Sequence, residues 1–142
     1  MPMISIQYAA TQPRAGLPRV IAEAVRKLSS EILHKDPAVT AIAIQEVDPA
    51  NWFVASASLA QQKLSAFWLD IRITDGTNTR EEKAAFIAAA FTKMNELIGP
   101  LHSESYVHVN EVLGDAYGFG GVTQNERYIA GKLTASAKKA AA

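Results

Sequence analysis

The chain has 142 residues, 49% of them apolar and 20% charged, which predicts one globular domain rather than a disordered chain. Fourteen basic and fourteen acidic side chains cancel, and this removes the broad electrostatic attraction of nucleic-acid and anionic-membrane binders. The absence of cysteine excludes disulfides, thiolate catalysis and zinc–thiolate sites. The three histidines lack the spacing of metal ligands, so we predict no metal or other cofactor.

The N-terminal segment begins Met1-Pro2-Met3, without the basic start and long apolar stretch of a signal peptide. No apolar run approaches the roughly 18 residues of a membrane span. We therefore expect a cytoplasmic protein that binds neither nucleic acid nor membranes.

The first half of the chain predicts a strand, a helix and a second strand. Apolar and polar residues alternate between Met3 and Tyr8, which is the periodicity of a strand. Apolar residues then recur at helical spacing from Leu17 to Ile32, and Pro37 ends this helix. Residues 38–47 are rich in Val, Ile, Thr and Ala, which favours a well-buried strand.

The second half repeats that order. Residues 67–73 predict a strand, and Thr79 and Glu82 have the spacing of a capping box at the start of a helix. Gly99-Pro100 ends the helix, and Tyr106–Val112 is predicted as the fourth strand.

The two halves align without a gap when Pro2 is placed on Phe67. Under this repeat alignment they agree in element order, length and apolar phase. We interpret the agreement as an internal duplication of a β-α-β unit. The predicted bounds are repeats at about 2–55 and 67–121, a single domain at 1–131, and an Ala/Lys-rich, frayed or weakly helical tail at 132–142.

The duplication predicts an α+β fold of two layers. Two right-handed crossovers give a four-stranded sheet with two helices on one face. The other face is left bare and carries mixed polar and apolar side chains, so we expect the chain to form an oligomer through it.

Pro2 is the candidate catalytic residue. Removal of Met1, which is usual before a small second residue, would leave a free secondary amine with a reference pKa of about 7.7–8.0. Partial burial lowers such a pKa toward neutrality, where the amine can act as a general base or attack a carbonyl group. If Met1 persists, this mechanism fails.

Three segments and the duplicated layout resemble the tautomerase superfamily, which includes 4-oxalocrotonate tautomerase, macrophage migration inhibitory factor and the 3-chloroacrylic acid dehalogenases. The segments are 2–6 (Pro-Met-Ile-Ser-Ile), 12–15 (Gln-Pro-Arg-Ala) and 117–121 (Tyr-Gly-Phe-Gly-Gly). The resemblance implies a trimeric tautomerase-type fold with active sites near subunit boundaries and Pro2 as general base.

The resemblance also implies substrate-binding residues. Lys35 and Tyr106 match a substrate-binding lysine and a substrate-contacting aromatic of the migration-inhibitory-factor group, and His108 falls where that group has an asparagine. Tyr117 and Phe119 would form an apolar wall. Three of these residues also have a purely structural interpretation. Lys35 can be a solvated charge at a helix end, Tyr106 an ordinary strand aromatic, and His108 a hydrogen-bonded interface histidine.

Arg72 is a candidate from its chemistry alone, because a guanidinium grips a carboxylate with two hydrogen bonds. An ion pair with Asp70, two residues earlier on the same strand face, is the simpler interpretation. A substrate carboxylate would be held by Lys35, Arg72 or Arg14.

These residues predict a tautomerase that moves a proton on a 2-oxo acid or its enol. A dehalogenase, hydratase or decarboxylase of the superfamily, acting on a small unsaturated or 3-oxo acid, is the nearest alternative. Thr74 and Thr77 stand where dehalogenases carry arginines, which argues against haloacid hydrolysis unless Arg80 substitutes. Two further alternatives are a non-catalytic oligomeric binding module and a ferredoxin-like sheet unrelated to tautomerases.

Overall fold

The computed structural model describes residues 1–142 as two β-α-β units that share one four-stranded sheet. The elements in chain order are β1 (Met3–Ala9), α1 (Leu17–Leu33), β2 (Ala41–Glu46), β3 (Phe53–Val54), β4 (Ala57–Ser58), α2 (Leu59–Gln62), β5 (Ala66–Thr74), α3 (Arg80–Ile98), β6 (Tyr106–Val112), β7 (Gly118–Phe119), β8 (Val122–Thr123) and α4 (Gln124–Ala141). The strand order is β2-β1-β5-β6. Strands within each unit are parallel, and the units meet through the antiparallel pair β1–β5.

The hydrophobic core lies between the sheet and the two long helices. Alternate side chains of β1 and β5, such as Ile6 and Leu69, are fully buried and pack with Ile21 of α1 and Phe86 of α3. Both helices therefore cover the same face of the sheet. The predicted α+β architecture of two layers is confirmed.

The start of α3 has the predicted capping box. The Thr79 hydroxyl accepts a hydrogen bond from the Glu82 N–H at 3.1 Å, and the Glu82 carboxylate accepts one from the Thr79 N–H at 3.0 Å. Two of the N–H groups that a helix start leaves unpaired are thus satisfied locally.

The strand predicted at 38–47 is shorter and less buried than expected. It spans Ala41–Glu46, and no residue in it is fully buried. The physical reason is its position at the edge of the sheet. Ile42 and Ile44 face the helices, whereas Ala41 and Ala43 face the uncovered side.

The correspondence between the two halves extends beyond the four main strands. The repeat alignment places hairpin β3–β4 on hairpin β7–β8, and the capping box that begins α2 on the one that begins α4. Helix α2 ends after one turn, whereas α4 continues to Ala141 and includes most of the tail expected at 132–142. No residue of α4 is buried, and neither this helix nor any other has the length and apolar character needed to cross a bilayer.

Candidate active site

Pro2 lies at the end of the sheet where β1 begins, and it is buried. Its carbonyl accepts a hydrogen bond from the Ala41 N–H at 3.2 Å, which continues the β1–β2 ladder. On the other side, Met3 pairs with Arg72 of β5. Strands on both sides therefore fix the position of the Pro2 backbone.

Tyr117 brings its hydroxyl to the backbone around Pro2. This hydroxyl donates to the Met1 carbonyl at 2.7 Å and accepts from the Met3 N–H at 3.1 Å. Because the Met1 carbonyl carbon is bonded to the Pro2 nitrogen, the hydroxyl lies within about 5 Å of that nitrogen. Burial raises the pKa of Tyr117, with the Met3 hydrogen bond and the Arg72 charge opposing, so the phenol stays neutral and can donate.

A cavity of about 370 Å³ opens beside the N-terminus. Five of its seven lining residues are polar or charged; the lining residues are Met1, Lys35, Thr74, Thr77, Gln124, Asn125 and Tyr128. Lys35 is the only charged side chain among these, and its Nζ donates to the Thr77 hydroxyl at 2.9 Å. The cavity thus offers one cation and several neutral donors to a small anion.

The surroundings of the cavity lower the pKa of both amines that line it. Burial lowers the pKa of the Met1 α-amino group, the Lys35 ammonium lowers it further, and Asp36 opposes. Burial also lowers the pKa of Lys35, with Glu82 opposing. An amine at this position therefore keeps its free-base form to lower pH than an amine in water.

Three of the predicted substrate-binding residues lie elsewhere, on the uncovered face of the sheet. Tyr106 packs its ring against Trp68 with centroids 5.5 Å apart. His108 Nδ1 lies 3.2 Å from one Asp70 oxygen, and Arg72 Nε lies 3.6 Å from the other. The expected contact between Arg72 and Asp70 is thus present.

The strand register separates Tyr106 from Pro2 within one chain. Tyr106 pairs with Trp68, which pairs with Gln7 at the far end of β1. At the usual rise per residue, Gln7 lies about 16 Å along the strand from Pro2. Arg14 follows the same far end of β1 and is exposed.

Phe119 also does not line the cavity. It lies in β7, where the Arg127 guanidinium stacks 3.6 Å from its ring centroid and donates to its carbonyl at 2.9 Å. Of the predicted substrate-binding side chains, a single chain therefore brings only those of Lys35 and Tyr117 to the N-terminal residue. Arg72 pairs with Met3, but its side chain lies on the uncovered face.

Several lining residues were not predicted from the sequence, notably Thr77 and Gln124. Thr77 drew attention only as the replacement of an arginine, and Gln124 lies just beyond the predicted end of the second repeat. A signal was present for Gln124, because the repeat alignment pairs it with Leu59 and a polar residue thus replaces an apolar one.

No protein-family model and no curated protein matches the sequence. Solved structures are nevertheless similar over most of the chain. Pt0534 inactivated by 2-oxo-3-pentynoate has a TM-score of 0.76 at 16% identity, covering 88% of this chain and 98% of that one.

Two further structures show the same likeness. A fused 4-OT symmetric trimer has a TM-score of 0.72 at 16% identity, covering 87% of this chain and 96% of that one. FG41 malonate semialdehyde decarboxylase inhibited by 3-bromopropiolate has a TM-score of 0.68 at 19% identity, covering 92% and 96%. The resemblance inferred from the sequence is thus confirmed for the architecture, and the chain has the fold of the tautomerase superfamily.

Proposed function

We propose that the chain is an isomerase of the tautomerase type, which transfers a proton between keto and enol forms of a small 2-oxo acid with the Pro2 amine as general base. The position of Met1 carries this proposal. Met1 is bonded to the Pro2 nitrogen and lines the cavity together with Lys35. Loss of Met1 would leave that nitrogen as a free amine facing the cavity.

The surrounding side chains suit proton transfer. A free-base amine takes the proton from the enol hydroxyl or from the carbon next to the carbonyl, and it returns the proton to the other atom. Lys35 would attract the substrate carboxylate. The neutral Tyr117 hydroxyl, released from the Met1 carbonyl, would donate to the oxygen on which enolate charge develops.

The inhibitors of two structural neighbours support a carboxylate-bearing substrate. Pt0534 is inactivated by 2-oxo-3-pentynoate, and the FG41 decarboxylase is inhibited by 3-bromopropiolate. Both inhibitors combine a carboxylate with an alkyne that is open to attack by an amine. A cavity with one lysine beside an N-terminal amine suits ligands of this kind, and the proposed chemistry needs no cofactor.

We propose further that the chain works as a cytoplasmic homo-oligomer, with a trimer as in the fused 4-OT structure as the expected form. The uncovered sheet face supports assembly, because it exposes Trp68 and Tyr106 by 41% and 50%. Tyr106 and His108 keep their predicted role in substrate binding if a neighbouring subunit supplies them.

The first test combines the mass of the purified chain with ketonisation of an aryl pyruvate enol, followed by ultraviolet absorbance. We expect the active form to lack Met1, because an amide nitrogen at Pro2 has no basicity. Pro2→Ala replaces the ring-fixed secondary amine and should lower kcat/KM at least about 100-fold. Pro13→Ala, at an exposed proline in the loop after β1, is the matched control.

The same assay separates the alternatives. Full activity of a chain that retains Met1, or equal rates for wild type and Pro2→Ala, would contradict a proline base. Faster turnover of a 3-oxo acid or a 3-haloacrylate would favour the decarboxylase or dehalogenase interpretation, although no arginine lines the cavity. Carboxylate binding without any turnover would favour the binding module.

A further inference from the structure

One polar atom of the cavity wall has no hydrogen-bond partner in the chain. The Nε2 amide nitrogen of Gln124 has less than 1 Å² of accessible surface and pairs with nothing. Gln124 lines the same cavity as Met1 and Lys35. An amide nitrogen can only donate, so the atom that satisfies it must be an acceptor.

The duplication provides an internal comparison for this position. Leu59 is the equivalent of Gln124 in the first repeat, and its N–H donates to the Trp52 carbonyl at 2.8 Å, just as the Gln124 N–H donates to the Tyr117 carbonyl at 2.8 Å. The backbone is therefore the same in both halves. Leu59, however, is fully buried in a small apolar cluster.

The cavity is the polar counterpart of that cluster. The repeat alignment maps the cluster's three buried members onto three residues of the cavity wall: Ala66 onto Met1, Ala9 onto Thr74 and Leu59 onto Gln124. The fold thus accepts an apolar core here, and the second half has a cavity with an unpaired amide instead. An unpaired buried donor costs stability, so its presence points to a ligand.

We infer that Gln124 is a substrate-binding residue. Once Met1 is lost and the amide turns into the enlarged cavity, its N–H group donates to an oxygen of the carboxylate that Lys35 attracts. The inference rests on the proposed function, because it assigns a further contact in the same cavity. Two donors, one charged and one neutral, favour a free acid over its ester or amide. Gln124 touches substrate without taking part in proton transfer, so it contributes to binding rather than to the chemical step.

Gln124→Leu tests the inference because it installs the residue that the first repeat has at the same place. The expected result is a rise in KM for the enol acid of about 10- to 100-fold, as for the loss of a hydrogen bond to a charged group, with little change in kcat. The melting temperature should stay equal or rise, because leucine fits this backbone and the unpaired amide is gone. Gln12→Leu, at an exposed position far from the cavity, is the control.

A purely structural glutamine predicts the opposite pattern, with a lower melting temperature and an unchanged KM, and that result would overturn the inference. Binding of keto-phenylpyruvate to Pro2→Ala and to Pro2→Ala/Gln124→Leu, measured by calorimetry, separates this inference from the proposed reaction. If the wild type is inactive but the second variant binds about 10-fold or more weakly, the contact stands and the reaction fails. If the wild type is active and both affinities are equal, the reaction stands and the contact is wrong.

Discussion

For individual residues, the candidate site depends on how burial acts on amines. The α-amino group beside Pro2 and the Lys35 ammonium both lose solvation, and burial is the largest cause of the lowered pKa in each case. Their mutual repulsion adds to the effect on the N-terminal amine. The N-terminal amine therefore keeps its free-base form to lower pH than an amine in water, without any other charged side chain in the cavity wall.

The pH dependence of kcat/KM should therefore respond to Lys35. Its positive charge disfavours the protonated amine and lowers the amine's pKa, so Lys35→Gln should raise that pKa and move the acid limb of the profile to higher pH. The amine should still titrate below its ordinary value, since burial remains. Lys27→Gln, an exposed lysine of α1, serves as control and should leave the limb in place. A limb that moves to lower pH in Lys35→Gln would contradict this arrangement.

Tyr117 illustrates how the contacts of a residue can differ from its sequence interpretation. The aromatic-glycine segment predicted an apolar wall, whereas the structure directs the Tyr117 hydroxyl to the backbone on both sides of Pro2. The resemblance drew attention to this residue. It did not predict the direction of the hydroxyl, because that depends on how β7 and the preceding loop pack against the start of β1.

Among the elements, the two hairpins adopt one conformation with different residues. Ala55 has a φ of 55°, and Gly120, its equivalent in the second repeat, has a φ of 59°. This left-handed region is easy for glycine but costs an L-residue about 1–2 kcal/mol. At this position the first hairpin therefore has the same backbone conformation as the second, although its alanine disfavours that conformation and glycine does not.

Exchanging these residues should change stability in opposite directions. Gly120→Ala should lower the free energy of unfolding by about 1 kcal/mol. Ala55→Gly should raise it by up to about 1 kcal/mol, because the greater entropy of glycine in the unfolded chain offsets part of the gain. Urea denaturation at one fixed protein concentration measures both. Changes of the same sign would show that the surroundings, rather than the backbone conformation, dominate at these turns.

Local signals account for the helix starts. Thr79 and Glu82 predicted a capping box, and the structure has it. The boxes at Ser58–Gln61 and Thr123–Glu126 have the same spacing but follow two-residue strands that are too short for a periodic signal. Those helix starts were therefore missed, although their caps are encoded within four residues.

For the molecule as a whole, we expect assembly to take place through the uncovered sheet face. Trp68→Asp places a charge on that face and should convert the oligomer to monomers, as measured by light scattering during gel filtration. Ile87→Asp is a matched control, because Ile87 on α3 is exposed to the same 41% but lies away from the sheet face. Activity should fall with dissociation if a neighbouring subunit supplies Tyr106. An unchanged mass for Trp68→Asp would exclude this face as the interface.

Local patterns in the chain were enough to establish the two β-α-β units, because strand and helix periods and capping boxes depend on residues within a few positions of one another. The resemblance, carried by short segments, grouped Pro2, Lys35 and Tyr117 into one candidate site. Three features became visible only in the folded chain: β2 is an exposed edge strand, Tyr106 lies about 16 Å along the sheet from Pro2, and Gln124 lines the cavity. Strand order and register are set by packing between distant segments, and no local pattern in the chain encodes them.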